Sequence, residues 1–177
     1  MDQQDVKNRM QALLDSLDYD FRQFTLEDFT RWLERRRGRK ISFVPWTMPP
    51  SMSGAWIAEA NGDRDYVFYA DETHGIHQAH IKLHELAHML CGHSTAEVDK
   101  KQTRALLRQT IQDPTIIHGV LLRSHTRTSE KDREAETLTV LIQDRVLSNK
   151  LQRPTKAVSP NFVDHFSQFT DMLGRSR

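Results

Sequence analysis

Hydrophobic positions along the chain fall into blocks whose period changes. Val6, Met10, Leu13, Leu14 and Leu17 recur at helical spacing, and the polar DYD at 18–20 closes that block. Leu26, Phe29, Trp32 and Leu33 repeat the pattern; Thr25 with Asp28 resembles a capping box, and Gly38 stands where a helix C-cap glycine belongs. A helix pair over residues 1–38 is therefore expected. The β-branched and aromatic ISFVPW at 41–46 then predicts a strand, and Pro45, Pro49 and Pro50 punctuate its end and the loop after it. WIAEA (56–60) and DYVFYA (65–70) flank Asn61-Gly62-Asp63-Arg64, the signature of a β-hairpin. From His77 to Met89 the period returns to helical, with Cys91-Gly92 as its stop.

Residues 94–128 are polar, with a helix expected around Ala105 to Ile111 and a short apolar patch at Val120 to Leu122. Ser129 caps a longer helix whose apolar side carries Ala135, Leu138, Leu141, Ile142 and Val146. After Pro154, the residues Phe162, Phe166, Phe169 and Leu173 predict a last amphipathic helix. Without repeats or a low-complexity linker, the pattern implies a single domain over 1–177: helix pair 1–38, mixed core 41–146, C-terminal helix 155–177.

Composition narrows the functional classes. Twenty-five basic residues nearly cancel 24 acidic ones, so no global field draws the chain to nucleic acid or membrane. No apolar run approaches the ~18 residues needed to span a bilayer, and MDQQDVKNRM lacks the features of a secretory signal. A cytoplasmic protein is expected. Cys91 is the single cysteine, so a metal site must draw on histidines and carboxylates. RRRGRK at 35–40 is the one basic cluster; it is expected to be a solvated helix end complementing the dipole, and direct nucleic-acid binding is not expected.

The chemistry concentrates in HIKLHELAHMLCGH, residues 80–93. On a helix, His84 and His88 project from one face a turn apart, so both imidazoles can reach one ion. Glu85 lies about 100° round from His84, off the metal yet beside the water that a metal activates. H-E-x-x-H needs that order: two neutral nitrogen ligands and an adjacent base. His77 and His80 share the stripe but are expected at the rim, and Cys91 as a small buried residue.

A third ligand remains to be found. His93 fails the metzincin template, whose seventh and tenth positions hold Cys91 and Ser94 here. On the downstream helix Asp132 and Glu136 share a face, whereas Glu134 points about 160° away from Glu136 and is the odd one out. Either Asp132 or Glu136 can ligate while its neighbour orients a histidine.

These residues resemble the ImmA/IrrE-like family of small metallopeptidases. The likeness runs over roughly 36–146 and rests on RRGRKISFVP, GAWIAEANGDRDYVFY, HGIHQAHIKLHELAHMLCGH and DREAETLTVLI. The resemblance implies an α+β, zincin-like domain with a short sheet packed beside the HExxH helix and additional helices at both ends. It also implies Zn²⁺ held by His84, His88 and Asp132, with Glu136 behind them and Glu85 as catalytic base. Asp132 stands where the family usually has Glu, and Ala87 where it often has glycine. The implied activity is zinc-dependent proteolysis of a helix-turn-helix repressor or antitoxin-like regulator. The competing expectation is a non-proteolytic zincin-fold protein that binds a partner regulator.

Overall fold

A computed structural model describes residues 2–48, 52–60, 62–99, 101 and 129–151. The helix expected at 105–111, the patch at 120–122 and the C-terminal helix over 155–177 lie outside these residues. The described chain has a mixed α+β architecture in which four helices accompany a small sheet.

Helix α1 (Gln3–Asp15) buries Val6, Met10 and Leu14 along one stripe. A short 3₁₀ turn (Phe21–Gln23), capped by Asp20 through the backbone N–H of Arg22, leads to α2 (Leu26–Arg37). Thr25 caps α2 by accepting from the Asp28 N–H at 3.0 Å, and Gly38 ends it at φ 66°. That left-handed conformation is costly for any residue with a Cβ. Between the helices, Tyr19, Phe21, Phe29 and Trp32 pack edge-on and stacked, and burial pushes the Tyr19 phenol up to about 12.

The sheet comprises β1 (Lys40–Trp46), β2 (Gly54–Glu59), β3 (Arg64–Ala70) and β4 (Ala96–Val98), in the order β1-β3-β2-β4. The hairpin forms: β2 and β3 pair antiparallel from Gly54 opposite Tyr69 to Ala58 opposite Asp65. β1 joins the far side of β3 in parallel, and the short β4, not foreseen in the polar stretch after residue 94, runs parallel to β2. As an interior strand paired with β1 on one side and β2 on the other, β3 is buried continuously from Asp65 to Tyr69. Edge position explains why β1 tolerates Pro45, which has no N–H to donate.

Helix α3 (Gly75–Leu90) lies against β2 and β3, and α4 (Ser129–Leu151) packs between α1 and α3. Leu83, Leu86, Leu138 and Ile142 are fully buried in the resulting core. A second, smaller cluster of Met52, Ala55, Ile57, Tyr66 and Phe68 occupies the other side of the sheet. No described helix is long and apolar enough to cross a membrane.

The basic run is not simply a solvated helix end. Arg35 and Arg36 are exposed, but Arg37 and Arg39 converge on the fully buried Asp65 at 3.0 and 2.9 Å. Arg39 also donates to the carbonyls of Glu59 (3.1 Å) and Arg64 (2.7 Å), tying α2 to the hairpin turn. Two of the expected solvent-facing charges are therefore structural, because a buried carboxylate needs a counter-charge.

Candidate metal centre

Helix α3 presents the candidate residues on two faces. The face toward β2 carries Ile81 and Glu85, and the helix comes so close there that a Cβ on Gly54 would stand 2.5 Å from Ile81 Cγ2 and 3.1 Å from Glu85 Oε1. Glu85 is accordingly only 2% exposed. The face toward α4 carries His80, His84 and His88, with His88 fully buried and His84 partly open.

On that second face three electron-pair donors converge. The Nε2 atoms of His84 and His88 are 3.0 Å apart, and Asp132 Oδ1 lies 3.5 Å from His88 Nε2. One ligand atom from each of these residues falls within 4.8 Å of the others, and together they form a group that could hold a metal ion. Glu136 stands behind it: its Oε2 is 3.1 Å from His84 Nδ1 and 3.3 Å from His80 Nε2. His80 also meets the Gln143 amide at 3.2 Å, while His77 is exposed and stacked on His80.

The hydrogen-bond partners define whether a cation fits. A carboxylate only accepts, so in neutral His84 the proton sits on Nδ1, facing Glu136, and Nε2 is left as a bare lone pair. Asp132 Oδ1 is buried and has no hydrogen-bond partner among the described residues. A buried, unpaired carboxylate oxygen beside an imidazole lone pair is unfavourable unless positive charge lies between them. The donor set therefore fits a metal ion.

A second polar layer lies beneath. His93 is 8% exposed and places Nδ1 2.7 Å from His88 Nδ1 and Nε2 2.9 Å from Glu134 Oε2. Arg9 of α1 closes the chain at 2.9 Å from Glu134 Oε1. Glu134 is thus not idle: because α4 is sandwiched between α1 and α3, the flank that turns away from Glu136 is also buried. His93 meets His88 through its ring, on the side away from Asp132.

A signal for this pairing was present in the sequence. Gly92 adopts φ 68°, Gly92 N–H donates to Met89 O and His93 N–H to His88 O, at 3.2 and 3.1 Å. This is a Schellman ending, which folds the residue after the glycine back onto the residue five before it. Those two residues are His93 and His88.

Cys91, half-buried against Met10 Sδ at 3.7 Å, has its thiol pushed up to about 12, first by burial and then by the negative charge of Glu134. It is a packing residue and not a thiolate at neutral pH. Lys82, whose ammonium sits 4.0 Å from the Tyr69 ring centroid, is shifted down by desolvation. No protein-family model, curated protein or solved structure matches this chain.

Proposed function

We propose that the chain is a zinc-dependent metallopeptidase with a zincin-like arrangement, in which His84, His88 and Asp132 hold the ion and Glu85 acts as general base. The observation that carries this reading is the convergence of the two Nε2 atoms and the unpartnered Asp132 oxygen on one point. Two ligands ~2.05 Å from a tetrahedral Zn²⁺ are roughly 3.3 Å apart. The 3.0 Å between the imidazole nitrogens and the 3.5 Å from His88 to Asp132 are close to that spacing, and the widest pair in the group lies within 4.8 Å. Three protein ligands leave one position open, as a hydrolytic site requires.

A bound zinc ion supplies Lewis acidity, polarising a peptide carbonyl and acidifying water. Glu136 holds the His84 ring so that its Nε2 faces inward. Glu85, one residue along the helix, accepts a proton from the attacking water and delivers it to the departing amine nitrogen. The substrate is a protein; the likeness of HELAH, its flanks and DREAE to the ImmA/IrrE-like pattern favours a helix-turn-helix repressor or antitoxin-like regulator, met in the cytoplasm.

The test is co-expression with a helix-turn-helix regulator, beginning with any that is encoded beside this chain. Wild type is expected to cleave it, whereas Glu85→Gln keeps one zinc per chain and the same fold but loses turnover, since an amide cannot accept the proton. Activity in Glu85→Gln within tenfold of wild type would remove Glu85 from its role. Full zinc occupancy with no cleavage of the regulator would favour a partner-binding protein that retains the metal.

A further inference from the structure

The chain from the buried His88 through His93 and Glu134 to the half-exposed Arg9 has a direction, set by the one group in it that can only accept. Glu134 offers two acceptor oxygens, one met by the Arg9 guanidinium at 2.9 Å and the other by His93 Nε2 at 2.9 Å. His93 Nε2 must therefore carry a proton, because a bare nitrogen held 2.9 Å from a carboxylate oxygen, at hydrogen-bond distance, would be repulsive, whereas Asp132 Oδ1 stands farther from His88 Nε2, at 3.5 Å, with no hydrogen bond to it. A neutral His93 ring then has a bare Nδ1. That lone pair lies 2.7 Å from His88 Nδ1, so the proton between them belongs to His88. The consequence reaches the candidate centre: His88 Nε2 is left without a proton, on the side where His84 Nε2 and Asp132 Oδ1 lie.

We propose that His93 and Glu134, braced by Arg9, are positioning residues that hold His88 in the Nδ1–H tautomer and so set the affinity of the centre for its metal. The inference rests on the metal-binding reading above, but the orientation of His88 is a property of the protein without metal. Three features make the chain a built device. His88, His93 and Glu134 are 0%, 8% and 8% exposed, so water does not readily substitute for a missing partner. The Schellman ending at Gly92 delivers the His93 ring to His88 by backbone geometry. Arg9 supplies the counter-charge to Glu134 from outside the histidine pair, so the carboxylate does not depend on the imidazoles for its neutralisation. Helix α1, remote from the HExxH motif in sequence, thereby becomes part of the metal centre's support.

The experiment compares zinc affinity, by competition with a chromophoric chelator, and the His88 tautomer, from two-bond ¹⁵N–¹H correlations of the metal-free protein. Wild-type apoprotein is expected to show His88 protonated at Nδ1. His93→Leu removes the acceptor and is expected to weaken zinc binding by ~10- to 100-fold, the usual range for groups that support a ligand. His93→Gln can present its carbonyl to His88 and its amide to Glu134, and is expected within about threefold of wild type, a rescue that loss of packing alone would not give. Glu134→Gln and Arg9→Met should fall between the two. An apoprotein with His88 protonated at Nε2 overturns the proposal, as does a folded His93→Leu protein that binds zinc as tightly as wild type. Should His93→Leu fail to fold, the glutamine variant and the apoprotein tautomer still decide. If wild type binds no zinc but shows the Nδ1–H tautomer, the metal reading fails and the positioning chain stands.

Discussion

Replacing Gly54 by alanine tests a close approach in the fold, the contact between the start of β2 and the Glu85 turn of α3. The added Cβ would lie 2.5 Å from Ile81 Cγ2, against the 3.5–4.0 Å of an ordinary carbon contact, and 3.1 Å from Glu85 Oε1. Ile81 is 3% exposed and its Cγ2 is attached at the β-carbon, so the clash cannot be relieved by swinging a flexible tip. Strand and helix must part by roughly 1 Å locally. Overpacking of this kind costs about 1–3 kcal/mol, offset by about 0.4–1 kcal/mol because alanine has less freedom to lose from the unfolded chain. The expected net loss is about 1–2 kcal/mol, or a fall in Tm of roughly 2–8 °C for a chain of this size. Thermal and urea unfolding of Gly54→Ala, Ile81→Leu and the double variant form the assay. Leucine carries no β-branch, so it removes Cγ2 at nearly constant volume, and the double variant should be more stable than the two single losses added together. Equal or greater stability in Gly54→Ala, or strict additivity in the cycle, would refute the argument that steric access to Ile81 and Glu85 reserves this position for glycine.

Other consequences arise from single contacts. Asp132→Ala should lose zinc while Asp132→Glu retains it, and Glu136→Gln should cost about 10- to 100-fold in affinity; equilibrium zinc titration checks the order, and a Glu136 variant weaker than Asp132→Ala would reverse the two roles. Asp65→Ala strands the partly buried Arg37 and Arg39 guanidiniums and should destabilise the fold by about 3–5 kcal/mol, measured by urea unfolding, with a loss under 1 kcal/mol counting against it. Burial raises the Cys91 thiol to about 12, so at pH 8 it should alkylate at least ~100-fold more slowly than in the urea-unfolded chain. The sign is that of a raised folded-state value: the thiol form is retained until pH climbs above the unfolded value and toward 12, so the rate deficit should narrow only there; equal rates at pH 8 would remove the assignment.

Local rules read much of this protein from its residues. The stripes Val6–Met10–Leu14 and Leu26–Phe29–Leu33, the Thr25 cap, the Gly38 stop and the β2–β3 hairpin each depend on groups within a few residues of one another, so period and capping chemistry suffice. The His84/His88 pairing is local too, since one helical turn puts two side chains on one face. What joined distant segments was left to the tertiary structure. Parallel pairing of β1 with β3 and of β4 with β2 leaves no period of its own, because the same alternation serves either neighbour. Arg37 and Arg39 read as surface charge until the buried Asp65, 28 and 26 residues away, claimed them. Glu134 read as the odd acid on its helix for a similar reason. Angular position on a wheel says which residues share a face, but not whether the opposite face meets water or another helix. Only the insertion of α4 between α1 and α3 gave Glu134 its two partners, because a buried charge takes its role from the groups that desolvate and neutralise it.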